Sequence, residues 1–171
     1  MVEKVNYKLL KKINNIEIRE YPDLILAYVE NFRDDNAFGL LFNYISGNNK
    51  INEKISMTTP VINSKKIEMT APVISNDTNM AFVMPRFYDE KTIPKPLDSN
   101  VKIKVQPKRK LAVIRFGGYS RENKIKKYKE MLLNELNQNK INFKGGFLLM
   151  RYNSPFSLPF VRRNEIGIEV L

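Results

Sequence analysis

Two hydrophobic periods run through this chain and divide it into strands and helices. Residues 16–21, Ile-Glu-Ile-Arg-Glu-Tyr, alternate apolar and charged side chains, the period of a strand with one face wet. Asn14-Asn15 supplies a turn that separates it from an earlier strand over residues 5–10. After Pro22-Asp23, residues 24–29 read Leu-Ile-Leu-Ala-Tyr-Val, a more fully buried strand. Asp34-Asp35 then offers caps for a helix that runs to about residue 46 and stops at Gly47-Asn48-Asn49. At ~100° per residue, Ala37, Phe38, Leu40, Leu41, Phe42, Tyr44 and Ile45 cover roughly 200° of that helix, whereas one core needs an arc of about 100°. A second side must therefore be covered, by protein or by a ligand.

Two near-copies follow twelve residues apart, Met57-Thr58-Thr59-Pro60-Val61 and Met69-Thr70-Ala71-Pro72-Val73. With Asn63-Ser64 between them they predict a hairpin, and Pro60 and Pro72 belong at strand ends or edges because proline donates no ladder hydrogen bond. Short strands are expected over residues 80–84, 101–105 (one face wet) and 111–116, with a polar loop over 86–100. Ser120 is the expected cap of a second helix, with a narrow stripe of Ile125, Tyr128, Leu132 and Leu136. Lys124, Lys126, Lys127 and Lys129 read as its solvated side. A strand over 147–152, a proline-bearing loop over 153–160 and a last strand carrying Ile166, Ile168 and Val170 complete the chain.

The order strand, strand, helix, strand, strand is thus given twice, and residues 5–75 and 101–171 read as two structural copies. No low-complexity linker separates them, so residues 1–171 are expected to form one α+β domain, a curved antiparallel sheet with two helices.

Charge changes this picture on one side only. Residues 1–80 carry 10 Lys+Arg and 10 Asp+Glu, while residues 81–171 carry 19 and 8, so the whole excess of +11 lies in the second half. Such a field attracts anions, although a well-solvated lysine surface explains it equally well. No apolar run approaches the ~20 residues of a membrane span, and residues 1–6 lack the basic-then-apolar pattern of a secretory leader. A cytoplasmic location is the default expectation.

The chain has no histidine and no cysteine, so zinc, iron and copper lose their commonest ligands and Ser–His or Cys–His pairs cannot form. Asp34-Asp35 and Asp89-Glu90 are adjacent pairs better suited to a helix cap and a loop than to acid–base work. No phosphate loop and no nucleic-acid motif is present. The expectation is a binding domain rather than an enzyme, with no metal site and with nucleic acid an improbable partner.

The doubled Met-Thr-x-Pro-Val, Phe82-Val83-Met84-Pro85, Phe116-Gly117-Gly118 and the closing Tyr152-Asn153-Ser154-Pro155-Phe156 with Arg162-Arg163-Asn164-Glu165 resemble the SOUL haem-binding protein family over nearly the whole chain. The resemblance implies a distorted antiparallel β-barrel from two pseudo-symmetric halves, each with one helix packed on the sheet. It is also similar to the effector-binding domains of gyrase-inhibitor-like regulators, which hold small molecules in a groove. It further implies haem or another tetrapyrrole as ligand, in a shallow cleft beside the first helix and the loop before the final strand. Carried onto this sequence, that cleft offers Phe38, Leu41, Phe42 and Ile45 from the helix and Phe156, Leu158 and Phe160 from the loop. Arg151, Arg162 and Arg163 would meet propionates through charge-assisted hydrogen bonds; alternatively, the arginines of the Arg162-Arg163-Asn164-Glu165 step pair with nearby carboxylates to fasten the last strand. The chain departs from those relatives that use an axial histidine; Met57, Met69, Tyr44 or a lysine could replace it in principle. Haem affinity is then expected from burial and propionate contacts. The competing expectation is a regulatory module whose basic half docks an acidic partner or nucleic acid.

Overall fold

The computed structural model describes residues 3–31, 34–51, 65–76, 78–153 and 156–171. In chain order the elements are β1 (Glu3–Lys4), β2 (Lys8–Ile13), β3 (Ile16–Tyr21), β4 (Leu24–Glu30), α1 (Asp34–Ile45), β5 (Asn49–Lys50), β6 (Thr70–Ser75) and β7 (Asn79–Val83). They continue with β8 (Lys95–Pro96), β9 (Lys102–Gln106), β10 (Arg109–Gly117), α2 (Glu122–Gln138), β11 (Phe143–Arg151), a 3-10 turn Pro159–Val161 and β12 (Arg163–Val170). Met57-Thr58-Thr59-Pro60-Val61 and the expected hairpin lie outside the described residues, as do the cap side chains of Asp34 and Asp35.

The main sheet runs β2-β3-β10-β12-β11-β6-β7-β4-β9, with β1 added parallel to β6. Every other pairing is antiparallel, and the two ends of this order, β2 and β9, are not bonded to each other. The sheet is therefore open by hydrogen bonding, and the expected closed barrel is not what its ladder shows. Yet Ile16 pairs with Ile114, Tyr21 with Arg109, Leu24 with Gln106 and Tyr28 with Lys102. The register is unbroken across the corners at Pro22-Asp23 and Pro107-Lys108, which are tied by a 2.6 Å hydrogen bond from the Lys108 amide to Asp23 Oδ1. Residues 16–30 and 102–117 thus behave as two long bent strands.

Strand alternation then makes three packed layers. Leu24, Leu26, Ala81, Val83, Leu111, Val113 and Met150 share one inner cluster drawn from both halves of the chain. The alternate positions face outward: Ala27, Val29, Met80 and Phe82 meet α1, while Ala112, Ile114, Ile166 and Ile168 meet α2. Burying both faces is why β3 departs from its half-wet pattern, for Arg19 and Tyr21 are as buried as Ile16 and Ile18.

Several expectations shift for local reasons. The first long strand begins at Lys8 rather than Val5, because Val5 is buried and its amide bonds to Ala71 in the neighbouring strand. The lysine-rich β2 is left as an exposed edge, a composition that discourages pairing with other chains. Pro72 falls within β6 rather than at its end, and the ladder to β7 slips between Thr70 and Val73, the kind of irregularity that accommodates proline. Ser120 does not cap α2; Arg121 holds the cap position without a side-chain bond, while the chain just before it is held by Lys124 and Asn164 on the carbonyls of Gly117 and Gly118. The segment 86–100 is less polar in effect than in composition: Tyr88 and Ile93 are buried against α1, and Tyr44 donates to the Pro94 carbonyl at 2.7 Å. Among the described residues no helix is long and apolar enough to cross a membrane.

Candidate functional site

The broad apolar arc of α1 is covered by protein. Ala37, Leu41, Tyr44 and Ile45 are buried, and Phe38 and Leu40 pack against the same cluster, which includes Ile67, Tyr88, Ile93 and Val101. Phe38 lies edge-on to Phe82 and stacks on Phe42, which is the one large member left open, at 48% exposure. Leu41 and Ile45 therefore serve the core, and a ligand beside α1 would reach Phe42 first.

The loop half of the expected site is placed differently. Phe156, Leu158 and Phe160 are 96%, 59% and 81% exposed. The loop is anchored through Arg162, whose Nε donates to the Ser157 carbonyl at 2.8 Å and whose guanidinium lies 4.5 Å from the centroid of Tyr119. Pro159 joins Gly118, Tyr119, Arg121, Asn123, Lys124 and Lys127 around a cavity of about 510 Å³, in the size range of small-molecule sites. Among the described residues none from α1 lines it. The loop is thus brought to the start of α2.

Sequence reading assigned these α2 lysines to solvent. The usable signal was spacing: Arg121, Lys124 and Lys127 recur every three residues and so share a helix face. Gly118, at φ 78°, makes the turn that sets Tyr119 beside them. Lys124 Nζ is held on the Gly117 carbonyl at 2.6 Å. Among the described residues no carboxylate lines the cavity. Glu122, in the same turn, instead faces a smaller cavity of about 250 Å³ with Lys129, Phe147 and Arg151. Arg151 Nη1 donates there to Ser75 Oγ at 3.3 Å.

Arg163 has a different task. With Arg19 it encloses the fully buried Glu165: Arg19 Nη1 and Nη2 donate at 2.7 and 3.1 Å, and Arg163 Nε and Nη2 at 3.0 and 2.7 Å. Tyr152 adds a hydroxyl donor at 2.9 Å, and Arg19 also pairs with Glu17. The two guanidinium groups lie 4.1 and 4.3 Å from the ring centroids of Tyr7 and Tyr152. Burial disfavours the charged form of Glu165, but the bonds and charge of Arg19, then Arg163, outweigh it and hold the carboxyl below its ordinary range. Burial, and next the Glu165 charge, push the Tyr152 phenol up. This cluster fastens β12 to β3 across β10, the structural alternative considered for the Arg162-Arg163-Asn164-Glu165 step.

Two of the potential iron ligands are engaged in the core. The Tyr44 hydroxyl is buried on Pro94, Met69 packs against the first core cluster, and Met57 lies outside the described residues. Among the described residues no group of three acidic, histidine or cysteine side chains could hold a metal ion.

A family model described as SOUL heme-binding protein matches residues 2–169. Comparison with curated protein sequences finds no match. Among solved structures, the fold is similar to the EcmrR C-terminal domain, with TM-score 0.54 and 11% identity over 96% of this chain and 98% of that one. It is similar to a hydrolase from Listeria innocua, with TM-score 0.57 and 13% identity over 92% of each chain. It is also similar to EcmrR in a cryo-EM EcmrR–DNA complex, with TM-score 0.56 and 11% identity over 91% of this chain but 56% of the regulator. At these identities the likeness is one of fold.

Proposed function

This chain belongs to the SOUL haem-binding protein family, and from that premise we propose a non-catalytic binding domain for a flat, apolar, anionic molecule of the tetrapyrrole class. The observation that carries this reading is the cavity beside the loop. Tyr119 and Pro159 offer flat apolar surface, and Arg121, Lys124 and Lys127 gather positive charge with no carboxylate among the described lining residues. A porphyrin needs both, a face for its ring and cations for its propionates. Leu158 and Phe160 adjoin Pro159 in the chain and are exposed, and Arg162 lies against the Tyr119 ring. Iron would add little, since the chain has no histidine or cysteine and Tyr44 and Met69 are engaged in packing.

The scaffold supports the same reading. Residues 5–75 and 101–171 are two copies of one unit within a single domain, 1–171. The copies are joined by reciprocal pairings, β3 with β10 and β9 with β4. The two bent strands are tied at their corners, with one helix packed outside each half.

The test is a parallel titration with haem and metal-free protoporphyrin. Both are expected to bind with similar affinity, and Arg121→Glu/Lys127→Glu should weaken both about tenfold or more by removing the propionate contacts. Phe42→Asp should leave binding unchanged. Loss of binding in Phe42→Asp with retention in the charge-reversed protein would move the ligand to α1. Failure of either porphyrin to bind the native chain, with a salt-sensitive shift of DNA instead, would favour the regulatory module.

A further inference from the structure

The loop before β12 has a property that the cavity does not use. Within residues 156–161 four large apolar side chains stand in water: Phe156, Leu158 and Phe160, together with Val161 at 51% exposure. A single exposed apolar residue is ordinary, but a contiguous set marks a surface that meets something. Of this segment only Pro159 lines the 510 Å³ cavity, so the two phenyl rings stand outside it. The segment is also well tied. Val161 N donates to the Leu158 carbonyl at 3.1 Å, Arg162 N to Pro159 at 3.2 Å, and Arg162 Nε to Ser157 at 2.8 Å. Much of its backbone is thereby satisfied internally, which lowers the cost of entering an apolar phase.

Behind this apolar tip lies the cationic start of α2, Arg121, Lys124 and Lys127, and the chain half to which both belong carries the whole +11 excess. We propose that the loop 156–161 and the first turns of α2 form a docking surface for an anionic lipid bilayer, with Phe156, Leu158, Phe160 and Val161 entering the headgroup–acyl boundary and the three cations meeting lipid phosphates and carboxylates. A bilayer accepts a protruding tip, whereas a protein partner would need a matching hollow. A nucleic-acid backbone would reward the cations and leave the phenyl rings in water. The two attractions act together, as interfacial binding requires.

The native chain has no tryptophan, so Phe160→Trp provides a single emitter at the tip. On vesicles of phosphatidylcholine with about 30 mol % phosphatidylserine its emission should shift to the blue and be quenched by brominated acyl chains. Sedimentation of the native chain with these vesicles should weaken about tenfold or more on pure phosphatidylcholine, and as much in Phe156→Asp/Phe160→Asp or Arg121→Glu/Lys127→Glu. Phe156→Ser/Phe160→Ser replaces the aspartate variant if that protein fails to fold. Vesicle binding is measured without porphyrin and porphyrin binding without lipid, so either reading can fail alone. The proposal is overturned if the native chain does not sediment with anionic vesicles, if the loop variants sediment as well as the native chain, or if the chain binds duplex DNA and leaves vesicles untouched.

Discussion

Phe160 and Glu165 lie five positions apart, and burial treats them opposite to their chemistry. The phenyl ring stands largely in water, while the carboxylate is completely enclosed. The difference teaches that burial in this region follows the supply of partners more than hydrophobicity. Glu165 sits where Arg163 of its own strand, Arg19 of β3 and Tyr152 just after β11 bring two guanidinium groups and a phenol together, and each further bond offsets part of its desolvation. Phe160 sits in a turn outside the sheet, where no layer covers it. One site holds the fold together; the other is left open for something outside the chain.

The largest effect expected from breaking this contrast is on the buried side. Glu165→Ala takes from the buried Arg19 and the half-buried Arg163 the carboxylate they share, leaving Arg19 only Glu17, and should cost about 3 kcal/mol by urea denaturation. Replacing the pair together, as Arg19→Met/Glu165→Leu, should cost clearly less than the two single changes added, because the buried Arg19 and Glu165 charges then disappear together and only the half-buried Arg163 loses a partner.

Acid sharpens the comparison next. The folded carboxyl of Glu165 lies below its unfolded value, so its contribution is fully present above about pH 4.3, the ordinary glutamate pKa. It is lost as pH falls through the lower folded value. Native stability should therefore drop across that interval, and Glu165→Gln, itself less stable, should show a flatter profile in denaturant melts at graded pH.

A smaller effect is expected at Gly167, on the inner face beside this cluster. An added Cβ would lie 2.9 Å from Met150 Cε, and the flexible methionine end can move, so Gly167→Ala should cost about 1 kcal/mol. The smallest belongs to the open side: Phe160→Ser should change stability by no more than about 0.5 kcal/mol. A large loss there would mean that the ring is structural after all.

Much of the fold was legible in periodicity. The stripe of Leu132 and Leu136 in α2, the strand expected over 101–105 and found at Lys102–Gln106, and the turn at Asn14, now at φ 47°, follow from local preferences that act within a few residues. The broad arc of α1 correctly announced a second covered side, but it could not say that residues 67–101 supply the cover. The candidate site was legible only in part. The loop's apolar residues were visible as a group, whereas their neighbours across space were not, because a loop has no period from which to infer a facing element.

The sequence by itself determined the strand and helix types, the absence of histidine and cysteine chemistry and the one-sided charge, since these depend on residue identity and near neighbours. Tertiary structure decided which charges are inside. Arg19 and Glu165 are 146 residues apart, and each sits where alternation alone predicts a wet face. They meet because β10 pairs with both β3 and β12, and the bent strands carry that face into the interior. The same pairing sets the loop against α2 rather than α1. Strand pairing is non-local, so no run of adjacent residues encodes it on its own.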